Sequence, residues 1–147
     1  MPYDFKLVRR VEFIETDMAG IVHYSNFFRY MEATETAFIR SLGFSLWAGH
    51  ADPPHGWPRV HVECDYKSPL RFEDEVEVHL LVAEKRPRSL TYQFRLRKLN
   101  AHPHVEVARG LVTVVCVTLS HGKLVATPFP KAIADKILRY RQLADRF

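Results

Sequence analysis

The hydropathy period of this chain changes to a helical one over a single long stretch, and that change limits the possible folds more than any other feature. From Asn26 to Gly43 the side chains Phe27, Met31, Thr34, Phe38 and Leu42 recur at helical spacing, whereas most other runs alternate with period two. Ser25 or Asn26 can cap the start and Gly43 suits the C-terminal stop, so the spacing predicts one helix of about 17 residues, some ~25 Å long. Phe28, Tyr30, Ala37 and Ile39 widen its apolar stripe, which predicts a helix largely enclosed by the rest of the chain.

Period two dominates elsewhere. Phe5, Leu7, Arg9, Val11 and Phe13 predict a first strand ending near Ile14. After the turn-rich stretch AGHADPPHGWP come Val60, Val62, Cys64 and Tyr66, then Val76 to Val82, then Leu90 to Leu96, with KRPR joining the last two runs. Residues 105 to 119 become apolar on both faces in their second half, as in a strand central to its sheet and covered on both sides. Ser120 to Lys123 reads as a hairpin turn into a short strand at Leu124 and Val125, and Pro128 and Pro130 introduce a final basic helix from Lys131 to about Arg146. Strands gathered behind one long helix argue for an α+β fold with an antiparallel sheet curled around that helix, and its open edges invite pairing with another subunit.

Length and composition narrow the classes. A chain of 147 residues, 47% apolar with 10 Phe and 6 Tyr, is one domain (1–147) with enough burial to fold without staples. The longest uncharged apolar stretch, Gly110 to Ser120, is far short of the ~20 residues a spanning helix needs, and MPYDFKLVRR lacks an apolar signal core. The expected location is therefore cytoplasmic, away from membranes, with Cys64 and Cys116 as buried reduced thiols. Positive charge is local. Residues 84–99 carry a net +5 and residues 123–147 a net +4, out of +4 for the whole chain, which suggests a phosphorylated ligand. Nucleic acid fits less well, because the 84–99 segment lacks a stacking platform of exposed aromatics.

Between the first strand and the long helix lies Glu15-Thr16-Asp17-Met18-Ala19-Gly20-Ile21-Val22-His23-Tyr24-Ser25-Asn26. This connection is longer and more polar than a turn requires, and it brings an acid, an imidazole and a phenol to a helix N-terminus. Unpaired N–H groups there suit a developing oxyanion, and Asp17 just upstream can act as base or nucleophile. Asp17 can equally serve as a turn stabiliser, and His23 as a packing residue. His50, His55, His102 and His104 have no acid or Cys at ligand spacing, so no metal is expected.

At these residues the chain resembles the 4-hydroxybenzoyl-CoA thioesterase family. The resemblance rests on Phe13 to Ala33, with its Asp-x-x-Gly-x-Val-x-Tyr core at Asp17, Gly20, Val22 and Tyr24, and it continues through Asp65-Tyr66-Lys67-Ser68-Pro69-Leu70 and Glu73 to Val76. It implies a hotdog fold, a sheet wrapped around one long helix with a C-terminal helix, assembled as a homodimer or homotetramer. It also implies hydrolysis of an acyl-CoA without cofactor or metal. Asp17 would be the nucleophile or general base, the Tyr24 N–H the oxyanion hole, and His23 an auxiliary group. Gly20, Ser68 and Arg71 would contact substrate, and Lys85, Arg86 and Arg88 would meet the CoA phosphates. Readings held beside it are a non-catalytic acyl-CoA binder and a hydratase or dehydratase. The second is disfavoured because Glu32 and Glu35 have no His within their helix.

Overall fold

A computed structural model describes residues 3–47 and 54–138. Its long helix, α1 (Asn26–Ser41), lies on one face of a five-stranded antiparallel sheet. In chain order the strands are β1 (Asp4–Arg10), β2 (His55–Gly56), β3 (Arg59–Tyr66), β4 (Glu75–Lys85), β5 (Ser89–Lys98), β6 (Val105–Val115), β7 (Val117–Ser120) and β8 (Lys123–Ala126). The large sheet has the order β1-β4-β5-β6-β3, and β2-β7-β8 form a small second sheet. A short helix, α2 (Lys131–Ala134), follows. This is the expected α+β arrangement. Among the described residues no helix is long and apolar enough to cross a membrane.

Register explains why one face of the sheet is buried. Leu80 pairs with Phe94, Phe94 with Gly110 and Gly110 with Cys64, while Val82, Tyr92, Val112 and Val62 form the next row. Because side chains alternate across a strand, these rows face α1 together, and Leu80, Phe94 and Tyr92 are at most 1% exposed. Burying a side chain of that kind is worth roughly 1.5–3 kcal/mol. At Gly110 the row has a gap that the helix uses. A Cβ there would stand 2.3 Å from the terminal methyl of Met31, so the Met31 side chain fills the space that glycine leaves and would have to move to admit a larger residue.

The helix begins and ends where the spacing predicts. At its C-terminus Gly43 takes φ +92°, and the N–H groups of Gly43 and Phe44 donate to Arg40 and Ile39 carbonyls. Ser25 occupies the N-cap position without a side-chain cap bond; its hydroxyl pairs with His23 Nδ1 at 2.7 Å instead.

Four expectations are corrected. β1 stops at Arg10, because the Glu12 N–H donates to Glu15 Oε1 (2.7 Å) and winds Phe13–Glu15 into a 3₁₀ turn, leaving Phe13 and Ile14 exposed. The run 105–119 is two strands that part at Cys116, and β6 is buried on the helix side only. β3, whose alternation resembles that of a half-buried strand, is an edge strand with Val60, Val62 and Tyr66 exposed. The helix expected from Lys131 to Arg146 ends at Ala134, and its residues 139–147 lie outside the described ones. Both thiols are free; Cys116 is buried and Cys64 only partly so.

One carboxyl is buried under α1. Glu35 is 1% exposed and pairs through Oε1 with Arg59 Nη2, and burial, only partly offset by Arg59, pushes its pKa up to about 7. A carboxyl whose folded value is raised binds its proton more tightly in the folded state, so stability is greatest below its unfolded value and is lost as pH climbs toward 7. Chemical denaturation of the protein at pH 5 and pH 8 should therefore show it losing on the order of 2–3 kcal/mol relative to Glu35→Gln over that interval. Parallel profiles for the two proteins would contradict the raised pKa.

Candidate active site

The loop from Glu15 to Asn26 is a closed turn. The Asp17 N–H donates to the Ile21 carbonyl (2.9 Å), the Gly20 N–H to the Asp17 carbonyl (3.0 Å), and Thr16 bridges Val22. Gly20 holds φ +79°, a conformation that favours glycine, and a Cβ there would approach the Arg71 guanidinium at 4.0 Å. Asp17 Oδ1 accepts the Ala19 N–H at 2.8 Å. The turn-stabilising role is thus present, and it occupies one carboxylate oxygen. Oδ2 has no hydrogen bond among the described residues.

Glu15 ties this loop to the helix. Its Oε1 accepts the Glu12 N–H and the Tyr30 hydroxyl (2.9 Å), and its carbonyl accepts both Asn26 Nδ2 (2.8 Å) and the His23 N–H (2.9 Å). Arg9 lies over the Tyr30 ring at 5.2 Å and 4.0 Å from Glu15 Oε2. Burial, reinforced by the Glu15 carboxylate, holds the Tyr30 phenol far above its ordinary range, so it remains a donor. Sequence reasoning treated Glu15 only as part of the loop and Tyr30 only as helix packing. The signal that could have found the pair is an acid at the end of a strand with a tyrosine one turn inside the following helix.

Asp17 and Tyr24 line one cavity of about 490 Å³ with Phe27, Tyr66, Lys67 and Ser68. Tyr66 builds its wall. Its hydroxyl donates to the Tyr24 carbonyl (2.9 Å), and its ring stands edge-on to Phe27 at 5.0 Å. Burial pushes the Tyr66 phenol up to about 12. No hydrogen bond uses the Tyr24 N–H among the described residues, and it lies at the start of α1, where the helix dipole adds positive potential. His23 turns elsewhere: Nδ1 faces the Ser25 hydroxyl and N–H, the ring stacks on Tyr24 at 4.5 Å, and it is not part of the cavity wall.

The basic residues separate into two groups. Arg71 stands beside Gly20, at the loop. Lys85, Arg86 and Arg88 occupy the β4–β5 connection, at the end of the sheet opposite Asp17. β4 begins beside the loop at Glu75 and spans eleven residues, about 36 Å. Lys85 Nζ donates to the Ala134 and Ile137 carbonyls, so its charge closes the end of α2, and Arg86 pairs with Glu84 at 2.7 Å. Among the described residues no group of three or more His, Cys, Asp or Glu is placed to hold a metal.

Comparison with known proteins bears on this geometry. A profile of the thioesterase-like superfamily matches residues 11–137. A candidate esterase of Aquifex aeolicus is 36% identical over 128 residues, covering 87% of this chain and 93% of that protein. A 1,4-dihydroxy-2-naphthoyl-CoA hydrolase of Synechococcus sp. (strain CC9311) is 30% identical, covering 85% and 84%. The solved 4-hydroxybenzoyl-CoA thioesterase of Pseudomonas sp. strain CBS-3 shares the fold, with a TM-score of 0.82 at 20% identity over 91% of this chain and 99% of that one.

The Glu15 hub makes a definite prediction. Tyr30→Phe removes one donor to a nearly buried carboxylate and should cost about 1.5–3 kcal/mol in chemical unfolding. It should also slow turnover, because the loop that carries Asp17 loses an anchor to α1. Unchanged stability and unchanged turnover together would show that the hub does not hold the loop.

Proposed function

The chain belongs to the thioesterase-like superfamily, and from that premise we propose that it hydrolyses an acyl-CoA thioester with Asp17 as the catalytic carboxylate and the Tyr24 N–H as the oxyanion donor. The observation that carries the reading is the juxtaposition in one cavity of a carboxylate with a spare oxygen and a helix N-terminus with a spare N–H. The names of the Synechococcus and Pseudomonas relatives, both of which act on acyl-CoA thioesters, support the same reaction.

The chemistry needs little else. A thioester is already activated, so its carbonyl carbon yields to an aimed nucleophile while an oriented N–H dipole takes up the charge gathering on oxygen. Asp17 Oδ2 either attacks that carbon, expelling the CoA thiolate and leaving a mixed anhydride for water to open, or removes a proton from a water that attacks directly. In both routes Ala19 fixes the carboxylate through Oδ1, and Tyr66 fixes the Tyr24 peptide through its carbonyl. Ser68, in the cavity wall, and Arg71, beside Gly20, would contact the pantetheine arm and phosphates. His23 is left to shape the start of the helix.

Assembly completes this reading. The β3 edge exposes Val60, Val62 and Tyr66 along unpaired backbone. A second copy added antiparallel along β3 would extend the sheet and carry its own Arg86 and Arg88 to the end where the first copy holds Asp17. That arrangement reconciles a CoA-phosphate role for the basic connection with its distance from Asp17 in one chain, and Lys85 contributes by holding α2 in place.

Asp17→Asn tests the proposal. Asn keeps the shape and can still accept the Ala19 N–H, but it can neither attack as an anion nor accept a proton at neutral pH. Thiol-release assays should show kcat lowered by at least ~10², with the thermal midpoint and acyl-CoA binding little changed. Retention of more than a tenth of kcat would remove Asp17 from the mechanism, and tight binding without thiol release by the unmodified protein would make it an acyl-CoA binder.

A further inference from the structure

One residue in the wall of the Asp17 cavity has no part in the chemistry proposed so far. Lys67 follows Tyr66, whose hydroxyl bonds the Tyr24 carbonyl, and among the described residues it is the one cation lining that cavity. β6 pins it twice. The N–H groups of Lys67 and Ser68 both donate to the Val107 carbonyl (2.8 and 3.2 Å), and Lys67 Nζ lies 3.1 Å from Glu106 Oε1. A lysine on a bare surface swings on a flexible four-carbon stem; this one is held at its backbone and at its tip.

Glu106 is a fixed anchor for that tip. Arg109 engages both of its oxygens, Nε on Oε1 at 2.5 Å and Nη2 on Oε2 at 3.2 Å, and the guanidinium, with Lys67 adding to it, holds the Glu106 carboxyl below the usual carboxylate range. Lys67 has three N–H donors and spends one on Glu106. A thioester under attack gathers negative charge at two atoms, first the carbonyl oxygen and then the sulfur. The Tyr24 N–H serves the oxygen, and Asp17 supplies attack. The sulfur still lacks a partner, and the cation in the same wall supplies what it needs. The CoA phosphates lie a whole pantetheine arm away from the sulfur, so a residue lining the Asp17 cavity is better placed for the sulfur than for them.

Building on the thioesterase reading, we propose that Lys67 is a further catalytic residue, which stabilises the departing CoA thiolate through Nζ. As the tetrahedral adduct collapses, the carbonyl re-forms, the C–S bond breaks and its electron pair goes to sulfur. The sulfur accepts a hydrogen bond from Lys67 and takes a proton from water as it leaves the cavity, so Lys67 keeps its own protons and needs no resetting. In the anhydride route the same contact opposes return, because a free thiolate attacks a carbonyl carbon more readily than water does. Glu106 and Arg109 act through Lys67 as positioning residues.

The test varies the leaving group at a constant, uncharged acyl group. Benzoyl and butyryl thioesters of CoA, of N-acetylcysteamine and of 4-nitrothiophenol are compared in the unmodified protein, Lys67→Met and Lys67→Arg. The first two thiols leave as alkyl thiolates, whereas the third spreads its charge over the ring and needs no help. Lys67→Met should lower kcat by about tenfold or more on both alkyl thioesters with KM little changed, and much less on the nitrothiophenyl ester, and Lys67→Arg should recover part of the loss. If Lys67→Met does not fold, Lys67→Gln carries the same comparison. An equal loss on all three leaving groups, or no loss, would overturn this proposal and reduce Lys67 to a structural partner of Glu106. A raised KM confined to the CoA esters, with kcat kept, would overturn it too and put Lys67 at the phosphates. Either result leaves the thioesterase reading standing. Absence of thiol release from every compound by the unmodified protein would overturn the thioesterase reading, and this proposal with it.

Discussion

Two groups of one residue, the carboxylate and the carbonyl of Glu15, hold the arrangement on which the site depends. The carboxylate gathers Glu12 and Tyr30; the carbonyl gathers His23 and Asn26. The strand, the 3₁₀ turn, the Asp17 loop and the first turn of α1 are thereby fixed to one point. Hydrogen bonds to charged groups are worth about 1.5–3 kcal/mol, and breaking one inside a nearly dry cluster also leaves its partner unsatisfied. The Asp17 loop can therefore be exposed and still keep its shape. Beyond this cluster, α1 packs on the sheet with the Met31 side chain over Gly110.

The architecture was legible where one physical effect dominated. Helical spacing from Phe27 to Leu42 and the glycine at position 43 placed α1 nearly residue for residue, and period two placed β4 and β5. Misreadings arose where local pattern and tertiary contact disagree. Phe13 continues the alternation of β1, but the bond between Glu12 and Glu15 turns the chain before it. Val60 and Val62 alternate like core residues although they line an open sheet edge, and alternation cannot say whether the apolar face of a strand meets its own chain or another. α2 ends at Ala134, sooner than its sequence suggests, where Lys85 of β4 donates to the Ala134 and Ile137 carbonyls.

The candidate site was legible in part. Asp17, Gly20 and Tyr24 stood out because they share one short connection at a helix start, and the structure keeps them together. Tyr66 and Tyr30 did not stand out, because their partners lie 42 and 15 residues away and bond partly through backbone atoms that every residue carries. Counting charge found the basic segment around Arg86 but could not tell that it sits a full strand length from Asp17 in the same chain. Charge counts report amounts, and distance enters only with the fold.

The most direct test of the account is a crystal structure with an acyl-CoA analogue whose thioester sulfur is replaced by methylene, which binds as a substrate does but cannot be cleaved. The account predicts its carbonyl oxygen at about 2.7–3.1 Å from the Tyr24 nitrogen, with Asp17 Oδ2 facing the carbonyl carbon directly or through one water. A carbonyl bonded elsewhere, with Asp17 still folded onto Ala19 and out of reach, would contradict it.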